Sequence, residues 1–393
     1  MGKRHRLGFI PADEKGKLIR DFVPACHRTE VDKMRAGLVI YGSLDTLSGG
    51  YLYDRKLVAY LQGQGDSVEV VSLPWRSYPR RLGNNFSPGL LRRLAGLRLD
   101  VLLQDELNHP SLFLLNRRLR KQVKYPIVSI VHLLRCNDDY PAWQKPLYRR
   151  IESRYLASVD CFIFNSVDTR RKVEGMLAGE GVRTPPFTIA YPGGDRFSPR
   201  IRNEEILERS REGPLRVLFT GNVIPRKGLH VLLDALEKVP AKLWQLTVVG
   251  DYLVDPPYTR AIYRQIIKNG MSKNVCFTGV LDDNGLRDCM KGSHLLAMPS
   301  FYEGFGIVYL EGMGFGLPAI GTSFGAAKEI IAHGHDGFLI PPGDAVALAG
   351  HLSGLAQDRS RLLKMSLAAR ESYRDRPTWD ESMKSIRSFL MGL

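Results

Sequence analysis

Residues 303–311 read EGFGIVYLE and come two residues after the apolar, strand-like stretch HLLAMPS (294–300). This spacing predicts a helix that begins near Gly306 and Ile307. Glu303 then precedes the helix, and Glu311 lies more than one turn inside it. The glycines of the run leave the intervening backbone amides accessible. Because a helix N-terminus presents unpaired amides and partial positive charge, this segment is suited to binding a phosphate.

Glu303 can accept hydrogen bonds from hydroxyl groups on one side of such a phosphate, and Glu311 from hydroxyl groups on the other side. A nucleotide sugar has this layout, with a hexose, a diphosphate and a ribose in sequence. The alternative interpretation is two solvated glutamates around a helix start, because helices favour acidic residues there.

The longer run 300–344, SFYEGFGIVYLEGMGFGLPAIGTSFGAAKEIIAHGHDGFLIPPGD, resembles the donor-binding core of the retaining family 4 glycosyltransferases. The order of its glycines, of Pro318 and of Glu329 is similar to that family almost position by position. The resemblance continues more loosely from about residue 215 to the C-terminus and is faint in residues 36–200. It implies the paired-domain fold called GT-B and a hexosyltransferase that uses a nucleotide-activated sugar.

Length and composition are those of an ordinary folded protein. At 393 residues the chain exceeds what one core usually supports, which predicts two domains. No apolar run is long enough to cross a membrane, and the N-terminus has no apolar segment typical of a signal peptide. The five cysteines are scattered without a C-x-x-C pair, which argues against a zinc site or a disulfide framework and favours a cytoplasmic location.

The alternation of apolar runs predicts two parallel sheets of the doubly wound α/β class. In the first half we expect strands at 36–42, 67–73, 99–104, 127–133, 160–166 and 187–193. In the second half we expect them at 215–221, 243–250, 275–279, 294–300 and 317–322. The two Rossmann-like domains should face each other across a cleft, where open sheets bind ligands at the carboxyl ends of their strands.

Five segments follow from this pattern. Residues 1–35 are predicted to be a loose extension, 36–201 an acceptor-side domain, 202–214 a charged linker and 215–375 the nucleotide-sugar-binding domain. The resemblance implies that 376–393, which contain a tryptophan, form a terminal helix that returns to the first domain. The alternative is a terminal helix that stays on the second domain.

Two cations lie in the loop after the first strand of the second domain. Arg226 and Lys227 precede a glycine there, and a cation in this loop can reach a diphosphate without a metal. The family resemblance supports this role for Lys227. The family usually has an arginine directly after the strand's glycine, where this chain has Asn222, which carries no charge. Either Arg226 replaces that arginine, or the site has one cation fewer.

The first domain contributes a glycine loop and a histidine. Gly49 and Gly50 end the loop after its first strand, and their amides can approach an oxyanion closely. This loop is neither G-x-G-x-x-G nor a P-loop, so nicotinamide cofactors and ATP hydrolysis find no support. His132 follows the strand at 127–131, and the resemblance places it near the 6-hydroxyl of the donor sugar.

The resemblance also assigns roles in catalysis. It implies that the two cations, the glycine-loop amides and the amides near Ile307 and Val308 hold the diphosphate and stabilise the leaving group. The second glutamate of the motif would bind the ribose. The first, with Gly304 and the amides of Phe305 and Gly306, would orient the sugar. No covalent nucleophile, cofactor or metal is expected; the acceptor attacks on the face that the nucleotide leaves, with the donor phosphate as base.

Charge is uneven along the chain. The net charge is +15, and residues 1–205 hold 34 Lys/Arg against 22 Asp/Glu. Residues 75–124 contain eleven basic and three acidic residues, and the basic residues alternate with aromatic residues and leucines. This segment predicts an anionic membrane surface or a lipid-linked acceptor as partner, and hence peripheral attachment to the inner face of the plasma membrane. The alternatives are a solvated basic face and a soluble saccharide acceptor; no nucleic-acid-binding motif is present.

Two other classes of function remain open from the sequence. One is a nucleotide-sugar epimerase on the same fold, which would need no acceptor. The other is a non-catalytic basic protein that binds a membrane or nucleic acid and shows a steep salt dependence.

Overall fold

The computed structural model describes residues 33–137, 143–211 and 213–393. Within them the chain forms two parallel six-stranded sheets, one from each half of the sequence. This confirms the predicted α/β class with two doubly wound domains. The predicted N-terminal extension lies outside the described residues except for 33–35, and Arg35 already begins the first strand.

The first sheet has the strand order β2-β1-β3-β4-β5-β6. Its strands are β1 (Arg35–Tyr41), β2 (Ser67–Leu73), β3 (Val101–Asp105), β4 (Ile127–Val131), β5 (Cys161–Phe164) and β6 (Phe187–Ile189). The helices that accompany it are α1 (Gly49–Gly63), α2 (Tyr78–Leu82), α3 (Pro88–Ala95), α4 (His109–Leu112), α5 (Leu115–Leu119), α6 (Lys145–Leu156) and α7 (Val167–Gly179).

This first sheet is covered on both faces. Along β1, Leu38 and Ile40 belong to one buried apolar cluster, whereas Val39 and Tyr41 belong to another. Successive side chains of a strand point to opposite faces, so each cluster lies on its own side of the sheet. Two covered faces explain why the strands of this domain read as continuous apolar runs.

The second sheet has the order β12-β11-β10-β7-β8-β9. Its strands are β7 (Leu215–Thr220), β8 (Trp244–Val249), β9 (Val275–Gly279), β10 (Leu295–Ala297), β11 (Ala319–Thr322) and β12 (Gly337–Ile340). The helices of this half are α9 (Leu229–Glu237), α10 (Pro256–Lys268), α11 (Asp283–Gly292), α12 (Ile307–Gly314), α13 (Ala345–Gln357) and α14 (Arg359–Arg374). The last strand, β12, was not predicted from the sequence.

A helix occupies the charged segment predicted as the linker. Asn203–Ser210 form the helix α8, which packs against α14 of the second domain. The guanidinium of Arg209 donates to the carbonyls of Phe315 and Gly316, 3.0 Å away in each case. The connection between the sheets is therefore fixed to the second domain.

The terminal helix α15 (Trp379–Met391) packs against α1 of the first domain. Four of its apolar side chains belong to a buried cluster with residues of β1 and α1: Trp379, Met383, Ile386 and Leu390. Arg387 also donates to the buried carboxylate of Asp66, with nitrogen–oxygen distances of 2.7 and 3.0 Å. The chain thus ends on the domain in which it began.

Among the described residues, none of the helices combines the length and the apolar character needed to cross a bilayer.

Candidate active site

Two loops meet at the carboxyl edge of the second sheet. The strand order reverses between β7 and β10, which are neighbours in the sheet although two strands separate them in sequence. Ligands of open parallel sheets bind at such a reversal, because the following loops diverge and leave a crevice. The loop after β7 carries residues 221–228 and the loop after β10 carries residues 298–306, so the topology itself brings the predicted cations and the first glutamate together.

Glu303 is the centre of this crevice. Its Oε1 accepts hydrogen bonds from Lys227 Nζ at 2.6 Å and from Ser300 Oγ at 2.7 Å. Burial would raise the pKa of the carboxyl, but the charges of Lys227 and Arg226 and the two hydrogen bonds outweigh it and hold the pKa below its usual value. Glu303 is therefore an ionised carboxylate, fixed in orientation and unsuited to act as a general acid at neutral pH.

Arg226 and Asn222 occupy different positions in the same loop. Arg226 Nη1 donates to the carbonyl of Tyr302 at 2.9 Å and lies 3.9 Å from Glu303 Oε2. Asn222 is half-buried, two residues after the end of β7, and its carbonyl accepts from the Ile224 amide at 3.0 Å. Arg226 thus reaches Glu303 from a position four residues later in the loop than Asn222, where the related family has its arginine.

The N-terminus of α12 is open. Gly306 precedes it with φ 93°, in the left-handed region that favours glycine, and has no side chain with which to cap the helix. The amides of Ile307 and Val308 therefore remain available to an anion. The side chain of Phe305 instead enters the core, where it packs against Tyr191 at a ring-centroid distance of 5.7 Å.

A second helix start faces the first across the domain boundary. Gly49 and Gly50 open α1, and the Ser48 hydroxyl that caps this helix accepts from a later amide, that of Tyr51. A Cβ on Gly49 would lie 3.5 Å from the Ile307 side chain of the other domain. The two predicted phosphate-binding segments are therefore neighbours in the cleft, although more than 250 residues separate them.

The domains touch at Gly304 and His132. A Cβ on Gly304 would lie only 2.1 Å from the His132 carbonyl oxygen. The Gly304 carbonyl in turn accepts from Ser166 Oγ of the first domain at 2.9 Å. His132 Nε2 lies 3.0 Å from Asp54 Oδ1. His132 therefore lies next to Gly304, the residue after Glu303. Its ring is fixed by the hydrogen bond to Asp54 of α1.

Glu311 lies apart from Glu303, inside α12. Its Oε1 is buried without a hydrogen-bond partner and lies 3.8 Å from Arg196 Nη1. Burial raises the pKa of Glu311 to about 7, with Arg196 acting in the opposite direction. Arg196 also pairs with Asp283. A buried acceptor left in this condition is ready to take a hydrogen bond from a ligand hydroxyl.

Several residues of this site were missed by the sequence reasoning. No pattern in the sequence around Ser166 or Asp54 marks either residue as part of a site. Arg196 comes from the segment between the domains, far from the motif. Only the position of Ser300, three residues before Glu303, offered a signal, because short hydroxyl side chains at that spacing can reach a neighbouring carboxylate.

Two buried groups of carboxylates and imidazoles in the described part of the chain have side-chain atoms within 4.8 Å of one another. One is Asp54, Asp105 and His132. The other is Glu106, His109 and Glu152, all buried in the first domain.

The second group is a compact cluster of buried ionisable side chains, in which both carboxylate oxygens of Glu106 lack a hydrogen-bond partner. His109 Nδ1 lies 2.9 Å from Glu106 Oε1, and its Nε2 lies 3.1 Å from the Tyr78 hydroxyl. Glu152 accepts from two backbone amides, those of Arg135 and Cys136. Burial raises the pKa of Glu106 and of Glu152 to about 8, and it lowers the pKa of His109 to about 4. The raised pKa values favour the protonated, uncharged forms of both carboxyls in this apolar core.

Two family models match the chain. The model "Glycosyl transferase 4-like domain" covers residues 47–185, and the model "Glycosyl transferases group 1" covers residues 202–372. A D-inositol 3-phosphate glycosyltransferase of Xylanimonas cellulosilytica is 27% identical over 60% of this chain and 57% of the relative. A phosphatidyl-myo-inositol mannosyltransferase of Mycobacterium leprae is 26% identical over 83% of this chain and 88% of the relative. The first curated relatives are matched over 57–61% of their own length.

The fold is also shared with solved structures. Anabaena HepE, solved in complex with UDP and glucose, superposes with a TM-score of 0.72 at 20% identity, over 92% of this chain and the whole of that one. The two matched domain models and the two parallel sheets, one from each half of the chain, indicate the same family. The chain belongs to the family 4 glycosyltransferases of the GT-B fold.

Proposed function

We propose that this protein is a retaining hexosyltransferase, which moves a hexose from a nucleoside diphosphate sugar to a saccharide or a lipid-linked acceptor. The observation that carries the proposal is the cluster of Glu303, Lys227 and Arg226 beside two open helix N-termini, one from each domain. Anion-binding groups on both walls of a cleft suit a ligand that is charged in its middle and polar at its ends.

The diphosphate of the donor would lie between these helix starts. Lys227 supplies a point charge and Arg226 a planar cation, while the amides of Ile307, Val308 and the Gly49 loop supply hydrogen-bond donors. Negative charge on the leaving nucleotide grows toward the transition state, so fixed donors aimed at it lower the barrier. These groups perform the charge neutralisation for which other transferases use a metal, and activity should therefore survive a chelator such as EDTA.

Glu303 would orient the hexose and support positive charge at the anomeric carbon. Its carboxylate is ionised and held by Lys227 and Ser300. A covalent nucleophile would instead be free to approach the anomeric carbon along the bond axis. The acceptor then attacks on the face that the nucleotide leaves, and the leaving phosphate takes its proton.

Glu311 would bind the ribose of the donor. Its buried Oε1, which has Arg196 nearby but no hydrogen bond, gains charge-assisted hydrogen bonds when ribose hydroxyls reach it. The UDP and UDP-glucose complexes of HepE support a nucleotide-sugar donor of this kind.

The acceptor would be presented at a basic face of the first domain. In α3, Leu91 and Leu94 are buried while Arg92 and Arg93 are exposed, and Trp75 and Phe86 nearby are exposed aromatic side chains. An anionic bilayer attracts each such cation by about 1 kcal/mol. We therefore propose peripheral attachment to the cytoplasmic face of the membrane, with a lipid-linked or surface-polysaccharide acceptor. The M. leprae relative is named for a lipid, phosphatidyl-myo-inositol, which favours this acceptor class.

Flotation with vesicles of rising anionic-lipid content tests the membrane attachment. Binding at low salt should fall when four arginines of the basic face are neutralised: Arg92, Arg93, Arg117 and Arg118. A matched variant neutralises four exposed cations of the second domain and should bind as the parent does: Arg260, Arg264, Lys268 and Lys273. Equal losses in the two variants, or no flotation at low salt, would make a soluble saccharide the better acceptor.

A donor panel tests the activity itself. Thermal shifts with UDP-, GDP- and ADP-hexoses identify the nucleotide, and donor turnover with the best binder measures catalysis. Glu303→Gln should lose turnover at least 100-fold, whereas Glu371→Gln, an exposed change on α14, should keep it. Product with inverted anomeric configuration would refute retention. An isomerised sugar formed without acceptor would identify an epimerase instead.

A further inference from the structure

Two buried carboxylates, those of Asp54 and Asp105, lie close to the His132 ring and have no role in the proposed transfer reaction so far. Asp54 is fully buried in α1 and Asp105 ends β3, with about 1% of its surface exposed. Asp54 Oδ1 lies 3.0 Å from His132 Nε2, and Asp105 Oδ1 accepts from the Leu107 amide at 2.9 Å. The second oxygen of each aspartate is buried without a hydrogen-bond partner.

Such a pair is costly for the fold. A buried carboxylate with an unsatisfied oxygen is less favourable than an apolar side chain of the same volume. The first sheet reverses its strand order between β1 and β3; β1 is followed by α1, and β3 ends at Asp105. The two aspartates therefore lie at the position where a sheet of this kind places its ligand site.

The hydrogen bond fixes the tautomer of His132. An ionised carboxylate can only accept, so Nε2 carries a proton that it donates to Asp54. Nδ1 has no hydrogen-bond partner among the residues that the structure describes, and the side chain of His132 is 9% exposed. The Tyr53 ring packs edge-on against the imidazole at a centroid distance of 5.0 Å, and a Cβ on Gly50 would lie 3.1 Å from its Cδ2. The ring is thus held in one orientation beside the glycine loop.

The charge of the ring follows from the same neighbours. Burial would lower the pKa of His132, but Asp54 and Asp105 outweigh it and the pKa is raised. Burial and the charge of Asp54 raise the pKa of Asp105 to about 7. The neighbouring phenol groups of Tyr51 and Tyr53 stay neutral, because burial raises the pKa of both. The protonation of Asp105 and that of His132 therefore depend on each other.

We propose that Asp54 is a positioning residue for the transfer reaction: it holds His132 as an imidazolium whose Nδ1–H donates to an oxygen of the bound sugar nucleotide. The negative charge of Asp105 also favours the protonated form of the His132 ring. This inference rests on the proposed function, since it assigns to His132 a donor's role toward a nucleotide sugar. It makes the cationic ring, and not a neutral base, the active form.

The test compares pH profiles of Asp54→Asn with those of the parent. The asparagine can still accept from Nε2 but removes the charge, so the pKa of His132 should fall by at least one unit. Above both pKa values each unit of that fall lowers the imidazolium fraction tenfold. The alkaline limb of kcat/KM for donor turnover should therefore move at least one pH unit toward acid, with partial recovery of the rate at low pH. Asp160→Asn, at the opposite edge of the sheet beside Arg120, is the matched control and should keep the parent's profile.

Two further measurements make the outcome decisive. The His132 ring signal, assigned with His132→Gln and followed by NMR in histidine-labelled protein, reports its pKa without any substrate. In Asp105→Asn the alkaline limb must persist, because the bond between Asp54 and His132 is intact. An unchanged His132 titration in Asp54→Asn, or loss of the limb in Asp105→Asn alone, overturns the inference. Absence of turnover in the parent with every nucleotide sugar would instead refute the proposed function, while the NMR titration would still show whether Asp54 stabilises the protonated His132 ring.

Discussion

Gly304→Ala tests whether the contact between the domains is required for catalysis. The added Cβ would lie 2.1 Å from the His132 carbonyl oxygen, and real Cβ atoms essentially never approach closer than 3.0 Å. The domains must therefore separate locally by about 1 Å or more. A misplacement of about 1 Å at a reacting centre can cost about 100-fold in rate, equivalent to about 2.7 kcal/mol of barrier.

The expected result is a fall of about 100-fold in kcat for donor turnover, with the affinity for the free nucleoside diphosphate within about twofold of the parent. The nucleotide should bind normally because the groups proposed to hold it, except for the Gly49 loop, belong to the second domain. Small-angle scattering should show a slightly larger radius of gyration. Gly350→Ala is the control, since a Cβ there meets nothing within 4 Å. A Gly304→Ala protein with the parent's kcat would show that the closed contact is irrelevant to the chemistry.

Three other predictions concern single groups. Glu311→Ala should raise the donor KM about tenfold or more, through loss of charge-assisted hydrogen bonds of about 1.5–3 kcal/mol, and unchanged donor binding by the folded variant would remove Glu311 from the ribose role. Lys227→Ala should lower kcat more than donor affinity, and full activity with EDTA should accompany the parent; an absolute need for Mg²⁺ or Mn²⁺ would contradict the metal-free scheme. The raised pKa values of Glu106 and Glu152 mean that these two carboxyls bind more protons in the folded state than in the unfolded one between about pH 4.5 and 8, so their contribution to stability is full below pH 4.5 and is lost as pH rises through about 8. Glu106→Gln should flatten the fall by up to about 1.4 kcal/mol per pH unit in denaturant titrations, and parallel pH curves for the two proteins would refute the raised pKa of Glu106.

The strands were largely readable from the sequence because they are buried on both faces. Apolar runs such as that of β1 have few alternatives to a parallel strand between glycine-rich loops. β12 was missed because its four residues begin with Gly337, follow a turn and were read as part of a motif. Helix α8 was missed for the opposite reason: its charged residues suggested a solvated linker, although Ile206 packs into the second domain.

The site divides in the same way. Lys227 and Glu303 could be predicted because each lies in a loop directly after a recognisable strand, and parallel strands bring such loops together. Asp54 could not, because a single aspartate five residues into a helix carries no sequence signal of burial. Its significance depends on His132, which is 78 positions away along the chain. Pairings of this kind are set by how α1 packs on its sheet, and no local pattern encodes them.

The return of α15 to the first domain has a consequence for the order of folding during synthesis. The last strand of the first sheet ends at Ile189, but the helix that completes its core begins about 190 residues later, at Trp379. At about 5–20 residues per second, a ribosome needs roughly 10–40 s to deliver that helix. During this interval the apolar face of α1 that will receive Met383 and Ile386 has no intramolecular cover, so the nascent first domain is the stage at which a chaperone would engage this chain.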